Sequence, residues 1–262
     1  MLRYVAAPDG VRLAVEVSGS GPPLVMVHGA GSGRWGFDLV RPLLEPRFSV
    51  WALDRRGRGD SGDGGDYSVE REFEDVAAVV RAAGDGAMLF GHSYGGLAAI
   101  GATRRLDGLT RLALYEPPMG GVLADEAWQE RFEADLAAGQ PEEAVRRFLH
   151  DIGGYSHVEI DVMENTRAWD HRLAAAPTVP RELRAERALA TDGLGLDRLD
   201  LACLMLVGTE SPEWARRSTE AFAGAIPGVE VRTLEGHGHG AAVSAPALLA
   251  AELERFLLAR AA

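Results

Sequence analysis

The hexapeptide Gly91-His92-Ser93-Tyr94-Gly95-Gly96 reads Gly-x-Ser-x-Gly and sets a hydroxyl among glycines. A serine hydroxyl is a weak nucleophile at neutral pH and needs a base to accept its proton. Gly236-His237-Gly238-His239-Gly240 offers two histidines for that task. The base in turn needs a carboxylate to fix its tautomer and stabilise its cation. Glu210 follows the apolar run 201–207 through Gly208-Thr209, and Glu116 directly follows the run 112–115. Both stand at expected carboxyl ends of strands; Glu210 is preferred and Glu116 is the alternative. Attack on a carbonyl also requires donors for the oxyanion. The backbone N–H of Tyr94, next to the serine, is one; that of Ala30, in His28-Gly29-Ala30-Gly31, is the other.

Such groups work only on a scaffold that gathers them. Short, largely apolar runs at 24–27, 48–53, 87–90 and 201–207 suit strands buried on both faces of a mostly parallel sheet, and 109–115 and 229–234 read as further strands. Residues 11–17 alternate weakly after the turn pair Asp9-Gly10, as in one strand of a hairpin. Between the runs, 69–83, 97–105, 214–225 and 245–258 are patterned as helices. Ser68 is placed to cap the first, with Glu70, Glu72 and Glu74 at its positive end. Residues 119–195 break the alternation: they lack a strand-like run and read as helices at 124–138, 142–151 and 182–190. The expected fold is α/β, with 1–118 and 196–262 forming one core and 119–195 a helical segment inserted in it. Ser93 then falls on a strand-to-helix turn, along the sheet edge where open α/β sheets bind ligands.

The chain has 262 residues, enough to bury a large core without disulfide or metal. A net charge of −12 and the lack of a basic run argue against nucleic acid or an anionic membrane as partner. The densest basic spot is Arg55, Arg56 and Arg58, in a glycine-rich loop, and every basic residue is arginine. The single cysteine, Cys203, lies in the run 201–207 and reads as a buried structural thiol. Residues 1–4 carry no signal-peptide apolar stretch, and no run approaches the ~18 residues that span a bilayer, so a cytoplasmic location is expected. His237 and His239 lack a companion ligand cluster, so no metal is expected. The loop 29–33 follows a strand but lacks the third glycine of a dinucleotide site, which would fall at Arg34.

Taken together, these residues resemble the α/β-hydrolase superfamily, with the serine esterases and haloperoxidase-like bacterial hydrolases nearest in pattern. The resemblance covers nearly the whole chain outside 119–195, and that helical insertion resembles the family's cap, which lies over the active site. It rests on the His28-Gly29 turn, the segment Leu53-Asp54-Arg55-Arg56-Gly57-Arg58-Gly59-Asp60-Ser61, the turn at Ser93, the strand end at Gly208, and Leu234-Glu235-Gly236-His237-Gly238-His239. In the family the histidine commonly follows Gly-x-Gly, which implies His239 rather than His237. The family order of nucleophile, acid and base implies Ser93, Glu210 and His239. Two departures stand out. The acid is Glu where Asp is commoner, and it comes two residues after Gly208 where three is usual; Ser211 holds that third place. The segment Tyr115-Glu116-Pro117-Pro118 resembles a subset of bacterial hydrolases.

A serine nucleophile, where some relatives carry aspartate, implies acyl chemistry on a small molecule. A carboxylic ester, lactone or thioester would be cleaved through an acyl-Ser93 intermediate, with no cofactor. The same groups would serve a cofactor-free perhydrolase, a lyase or a C–C hydrolase, and a homologue that only binds its ligand is the non-catalytic alternative. Substrate contacts are expected from Arg34 and Trp35, beside the oxyanion loop, and from Trp128 and Trp169 in the inserted segment. Phe132, Phe148 and Tyr155 are further aromatic candidates there, while His150, His157 and His171 are expected at the surface.

Overall fold

The computed structural model describes residues 1–189 and 194–259. Eight strands form one sheet: β1 (Leu2–Ala6), β2 (Arg12–Gly19), β3 (Pro23–Val27), β4 (Ser49–Leu53), β5 (Met88–His92), β6 (Arg111–Tyr115), β7 (Ala202–Gly208) and β8 (Glu230–Leu234). Their spatial order is β1-β2-β4-β3-β5-β6-β7-β8. The pairs β1·β2 and β2·β4 are antiparallel, and the rest are parallel. Each expected strand overlaps an observed one; the inner strands are buried on both faces as expected, whereas β8, at the sheet edge, exposes Glu230, Val231 and Thr233. Along β3, Val25 and Val27 join the apolar cluster on one face of the sheet, while Leu24 and Met26 join the cluster on the other. A strand covered on both sides needs apolar residues at every position, not at alternate ones.

The helices are α1 (Arg41–Leu44), α2 (Val69–Ala83), α3 (Tyr94–Thr103), α4 (Glu126–Ala137), α5 (Pro141–Asp151), α6 (His157–Glu164), α7 (Arg167–Ala175), α8 (Val179–Ala188), α9 (Glu213–Ala225), α10 (Ala241–Ser244) and α11 (Pro246–Leu257). Helix α2 runs as its pattern indicates, and its Ser68 cap accepts from the Arg71 amide at 3.3 Å. Phe73 and Val76 of α2, with Leu97 and Ile100 of α3, cover one face of the sheet; Leu249 and Leu253 of α11 cover the other. Helix α3 starts at Tyr94, three residues earlier than expected, so that Ser93 immediately precedes it.

Helices α4 to α8 fill the stretch between β6 and β7 and share an apolar cluster of their own, including Trp128, Phe132, Leu149, Trp169 and Leu183. Two of them, α6 and α7, were not anticipated. The expected helix end at Ala190 lies outside the described residues. Among the described residues, no helix is long and apolar enough to cross a membrane. Cys203 is buried in the sheet, and burial pushes its thiol up to about 12, as fits a structural thiol.

Candidate active site

Ser93 has φ 53° and ψ −129°, outside the regions an L-residue ordinarily occupies. Its surroundings over-determine that conformation. Its amide donates to Tyr115 O at 2.8 Å, extending the β5·β6 pairing past the strand end. A Cβ on Gly95 would collide with the carbonyl oxygens of Val27 and His28, and one on Gly91 with the backbone of Gly95 and Gly96. The glycines of Gly-x-Ser-x-Gly-Gly are thus the residues that let β5 turn directly into α3. Backbone strain of this kind costs about 1–3 kcal/mol and concentrates at functional sites.

His239 follows β8 and lines one cavity with Ser93. Its Nδ1 lies 2.6 Å from Glu116 Oε2. The carboxylate accepts, so Nδ1 donates and Nε2 is left as the ring's acceptor nitrogen. Glu116 is fully buried and has φ 48°, the second non-glycine residue with positive φ among those described. Its other oxygen accepts from the Gly208 amide at 2.8 Å and from the Ser211 hydroxyl. The side chain thus crosses from the end of β6 to that of β7 before meeting His239. The carboxylate preferred from sequence, Glu210, is exposed; its amide donates to His237 O at 3.0 Å, and its side chain makes no contact with His239 among the described residues. The structure therefore brings Glu116 rather than Glu210 to the histidine. Both end adjacent parallel strands, so strand position alone did not separate them. Ser211, in the place where the family acid usually stands, instead holds Glu116.

The loop after β3 is equally constrained. His28 Nε2 accepts from the Arg55 amide at 3.1 Å, so Nδ1 carries the proton and donates to Gly29 O at 2.9 Å. Arg55 Nη1 donates to the same carbonyl at 3.3 Å. In a trans peptide the N–H points opposite to the C=O. Holding Gly29 O on one side turns the Ala30 N–H to the other, and Ala30 lines the cavity. Neither the Ala30 nor the Tyr94 N–H donates to a protein acceptor among the described residues. Burial, with nearby Arg55 and Arg58, keeps the pKa of His28 well below its ordinary value. Burial and the adjacent His239 do the same for His92, whose Nε2 donates to His239 O at 3.0 Å.

The cavity has a volume of about 60 Å³. Leu149, Ile152, Tyr155 and Arg172 wall it from the inserted helices. Phe148 also faces it, as does Tyr155, so two of the aromatic candidates meet the site. The four residues favoured for substrate contact do not line it. Arg34 is held by Asp54, Asp60 and Glu16. Trp35 stacks on His171. Trp128 packs on Phe132 and donates from Nε1 to Asp151 at 2.8 Å, and Trp169 is buried among the helices. His150, His157 and His171 are exposed, as expected. Sequence reasoning missed two residues here. The Trp214 ring meets His239 edge-on at 5.0 Å, and Arg172 enters the cavity from α7; neither lies in a motif. A wider cleft of about 1210 Å³ between 103–109 and 195–201 is lined by neither serine nor histidine among the described residues.

Residues 24–252 match the family model described as "Alpha/beta hydrolase family". The chain belongs to the alpha/beta hydrolase family. It is similar to an alpha/beta hydrolase from Sphaerobacter thermophilus DSM 20745, with a TM-score of 0.82 and 35% identity over 97% of this chain and 99% of that one. It is 23% identical over 255 residues to the pimeloyl-[acyl-carrier protein] methyl ester esterase of Xanthomonas campestris pv. campestris (strain B100), covering 94% of this chain and 98% of that protein. A "Probable oxidoreductase EphD" of Mycobacterium tuberculosis (strain ATCC 25618 / H37Rv) is 32% identical over 127 residues, but the match spans only 22% of that protein's length.

Proposed function

We propose that this hydrolase is a serine esterase with Ser93 as nucleophile, His239 as base and Glu116 as the carboxylate that orients it. The observation that carries the reading is the 2.6 Å contact between His239 Nδ1 and Glu116 Oε2 in the cavity that Ser93 lines. Esterases among the similar proteins support the same bond class. In the cycle, Ser93 Oγ attacks the acyl carbon and passes its proton to His239 Nε2. The Ala30 and Tyr94 amides receive the negative oxygen; losing one such donor typically costs about 3 kcal/mol. The imidazolium then protonates the leaving alcohol. Water, deprotonated by the same nitrogen, releases the acid and restores Ser93. Glu116 stays ionised throughout and compensates the transient charge on His239.

Helices α4 to α8 serve as the cap over this site. A cavity of about 60 Å³ is far below the ~300–1,000 Å³ of most ligand pockets. Short acyl groups are therefore the preferred substrates, and longer ones need the cap displaced. Whether the scissile bond is an ester, lactone or thioester leaves this machinery unchanged.

A fluorophosphonate probe tests the assignment. It labels the wild-type chain at Ser93, and p-nitrophenyl acetate gives a burst of one equivalent if deacylation is slower than acylation. Labelling that persists in Ser93→Ala, or a wild type that neither labels nor hydrolyses short esters, overturns it.

A further inference from the structure

Arg172, on α7, lines the same cavity as Ser93 and His239. It has no carboxylate partner and donates no hydrogen bond among the described residues. Its Nε is buried without an acceptor. Its guanidinium carbon stands 4.8 Å from the centre of the Trp35 ring, which supports the cation from behind without neutralising it. Among the described residues no Asp or Glu lines the cavity; beside Arg172 the polar side chains that do are His28, Ser32, Ser93, His92, Tyr155 and His239.

The chain treats its fully buried arginines differently. Arg55 meets Glu72 at 2.7 Å and also Glu182; Arg56 meets Asp75 at 2.7 Å; Arg58 meets Glu182 at 2.7 Å. Burial works against the charge of Arg55, but Glu182 and Glu72 more than offset it and hold its pKa well above the ordinary value. For Arg172 burial acts with only weak opposition from Tyr155, and the pKa is lowered. In a chain of net charge −12, a cation kept without a counter-ion beside the nucleophile has its partner supplied from outside. The planar guanidinium fork matches a carboxylate bidentately, and the small cavity favours a short one.

We propose that Arg172 binds a substrate carboxylate, so that the preferred substrates are half-esters of short dicarboxylic acids, with the ester carbonyl at Ser93 and the free carboxylate on Arg172. This assignment rests on the esterase reading and names the substrate class for that site. The kinetic test compares monoethyl succinate and monoethyl glutarate with the neutral ethyl pentanoate. Wild type prefers the half-esters, and Arg172→Gln lowers the ratio of half-ester to neutral-ester kcat/KM by about 30-fold or more, chiefly through KM. Arg172→Lys restores part of the ratio, since it returns the charge without the fork. The binding test needs no turnover: calorimetry on Ser93→Ala detects succinate or glutarate, and Ser93→Ala/Arg172→Gln does not. Equal wild-type rates on charged and neutral esters, or a ratio unmoved by Arg172→Gln, overturns the proposal. So does dicarboxylate binding that survives loss of Arg172. Failure of the esterase reading is separate: it appears as absent labelling and turnover while the dicarboxylate still binds.

Discussion

Replacing Glu116 with glutamine separates the two candidate acids by mechanism. One oxygen of Glu116 accepts from the Gly208 amide and the Ser211 hydroxyl, and the other from His239 Nδ1. A glutamine has one acceptor oxygen and one donor NH₂. The Gly208 N–H is fixed by β7 and only donates, so the amide oxygen takes that side. The NH₂ then faces Nδ1, which must accept, and the proton moves to Nε2. A ring in that tautomer cannot take the Ser93 proton. Loss of the correct tautomer costs about 10⁴-fold in kcat, or about 5.5 kcal/mol. The opposite orientation rescues the tautomer but sets NH₂ against the buried Gly208 N–H, a penalty of about 1–3 kcal/mol; even that route leaves a loss of at least about fivefold. Glu210→Gln, on an exposed side chain, is expected within about threefold of wild type. The assay is kcat/KM on p-nitrophenyl acetate together with the fluorophosphonate labelling rate, with circular dichroism to verify folding. A loss below about fivefold in Glu116→Gln, or a larger loss in Glu210→Gln, refutes the assignment.

Gly95→Ala forces a Cβ onto the carbonyl oxygens of Val27 and His28, displacing the turn at Ser93, and is expected to cut kcat/KM by about 10²-fold or more. Gly224→Ala, exposed in α9 with no atom near the added Cβ, is the control: a gain of about 1 kcal/mol, read as a Tm rise of about 2–4 °C. Glu182→Ala strips Arg58 of its 2.7 Å partner and Arg55 of one of two, and is expected to cost about 3 kcal/mol in urea unfolding. His28 stays neutral in the fold because burial depresses its pKa, whereas the unfolded chain protonates it below 6.5. Its contribution is therefore present above pH 6.5 and is lost as pH falls. Between pH 6.5 and 5, wild type should lose about 1.5 kcal/mol more stability than His28→Gln, by unfolding at both values.

The sheet was legible because burial on both faces writes itself as unbroken apolar runs, such as 24–27 and 87–90. The turn at Ser93 was legible because only glycine fits at 91 and 95. The acid was ambiguous for a geometric reason. β6 and β7 are parallel neighbours, so their ends lie side by side, and only the path of the Glu116 side chain across Gly208 decides between them. The residues expected at the substrate lie outside the cavity for another reason. Aromatic type identifies a residue that wants burial but not the direction it takes, and Trp128 and Trp169 turn into the packing of α4 to α8. Arg172 escaped notice with its helix. Preceding α7, α6 alternates Val158, Ile160 and Val162, a strand-like pattern of which only Ile160 is buried; its helical signal is the Ser156/Glu159 capping box.

The inserted helices touch both halves of the candidate site, so their placement and the geometry at Ser93 are one problem. Phe148 packs where a Cβ on Gly31 would come within 3.0 Å of its ring, against the loop that carries Ala30. Trp214 donates to Ile152 O at 2.9 Å while its ring edge meets His239. Arg55 completes the connection. Its guanidinium meets Glu182 of α8, donates to the His28 and Gly29 carbonyls at 3.4 and 3.3 Å, and lies 4.5 Å from the centre of the Tyr94 ring. One buried cation therefore bears on both residues proposed as oxyanion donors and on the helix that ends the insertion. A buried charge is costly to leave unpaired, so removing the Glu182 carboxylate would loosen the hold of Arg55 on the Gly29–Ala30 peptide as well as on α8.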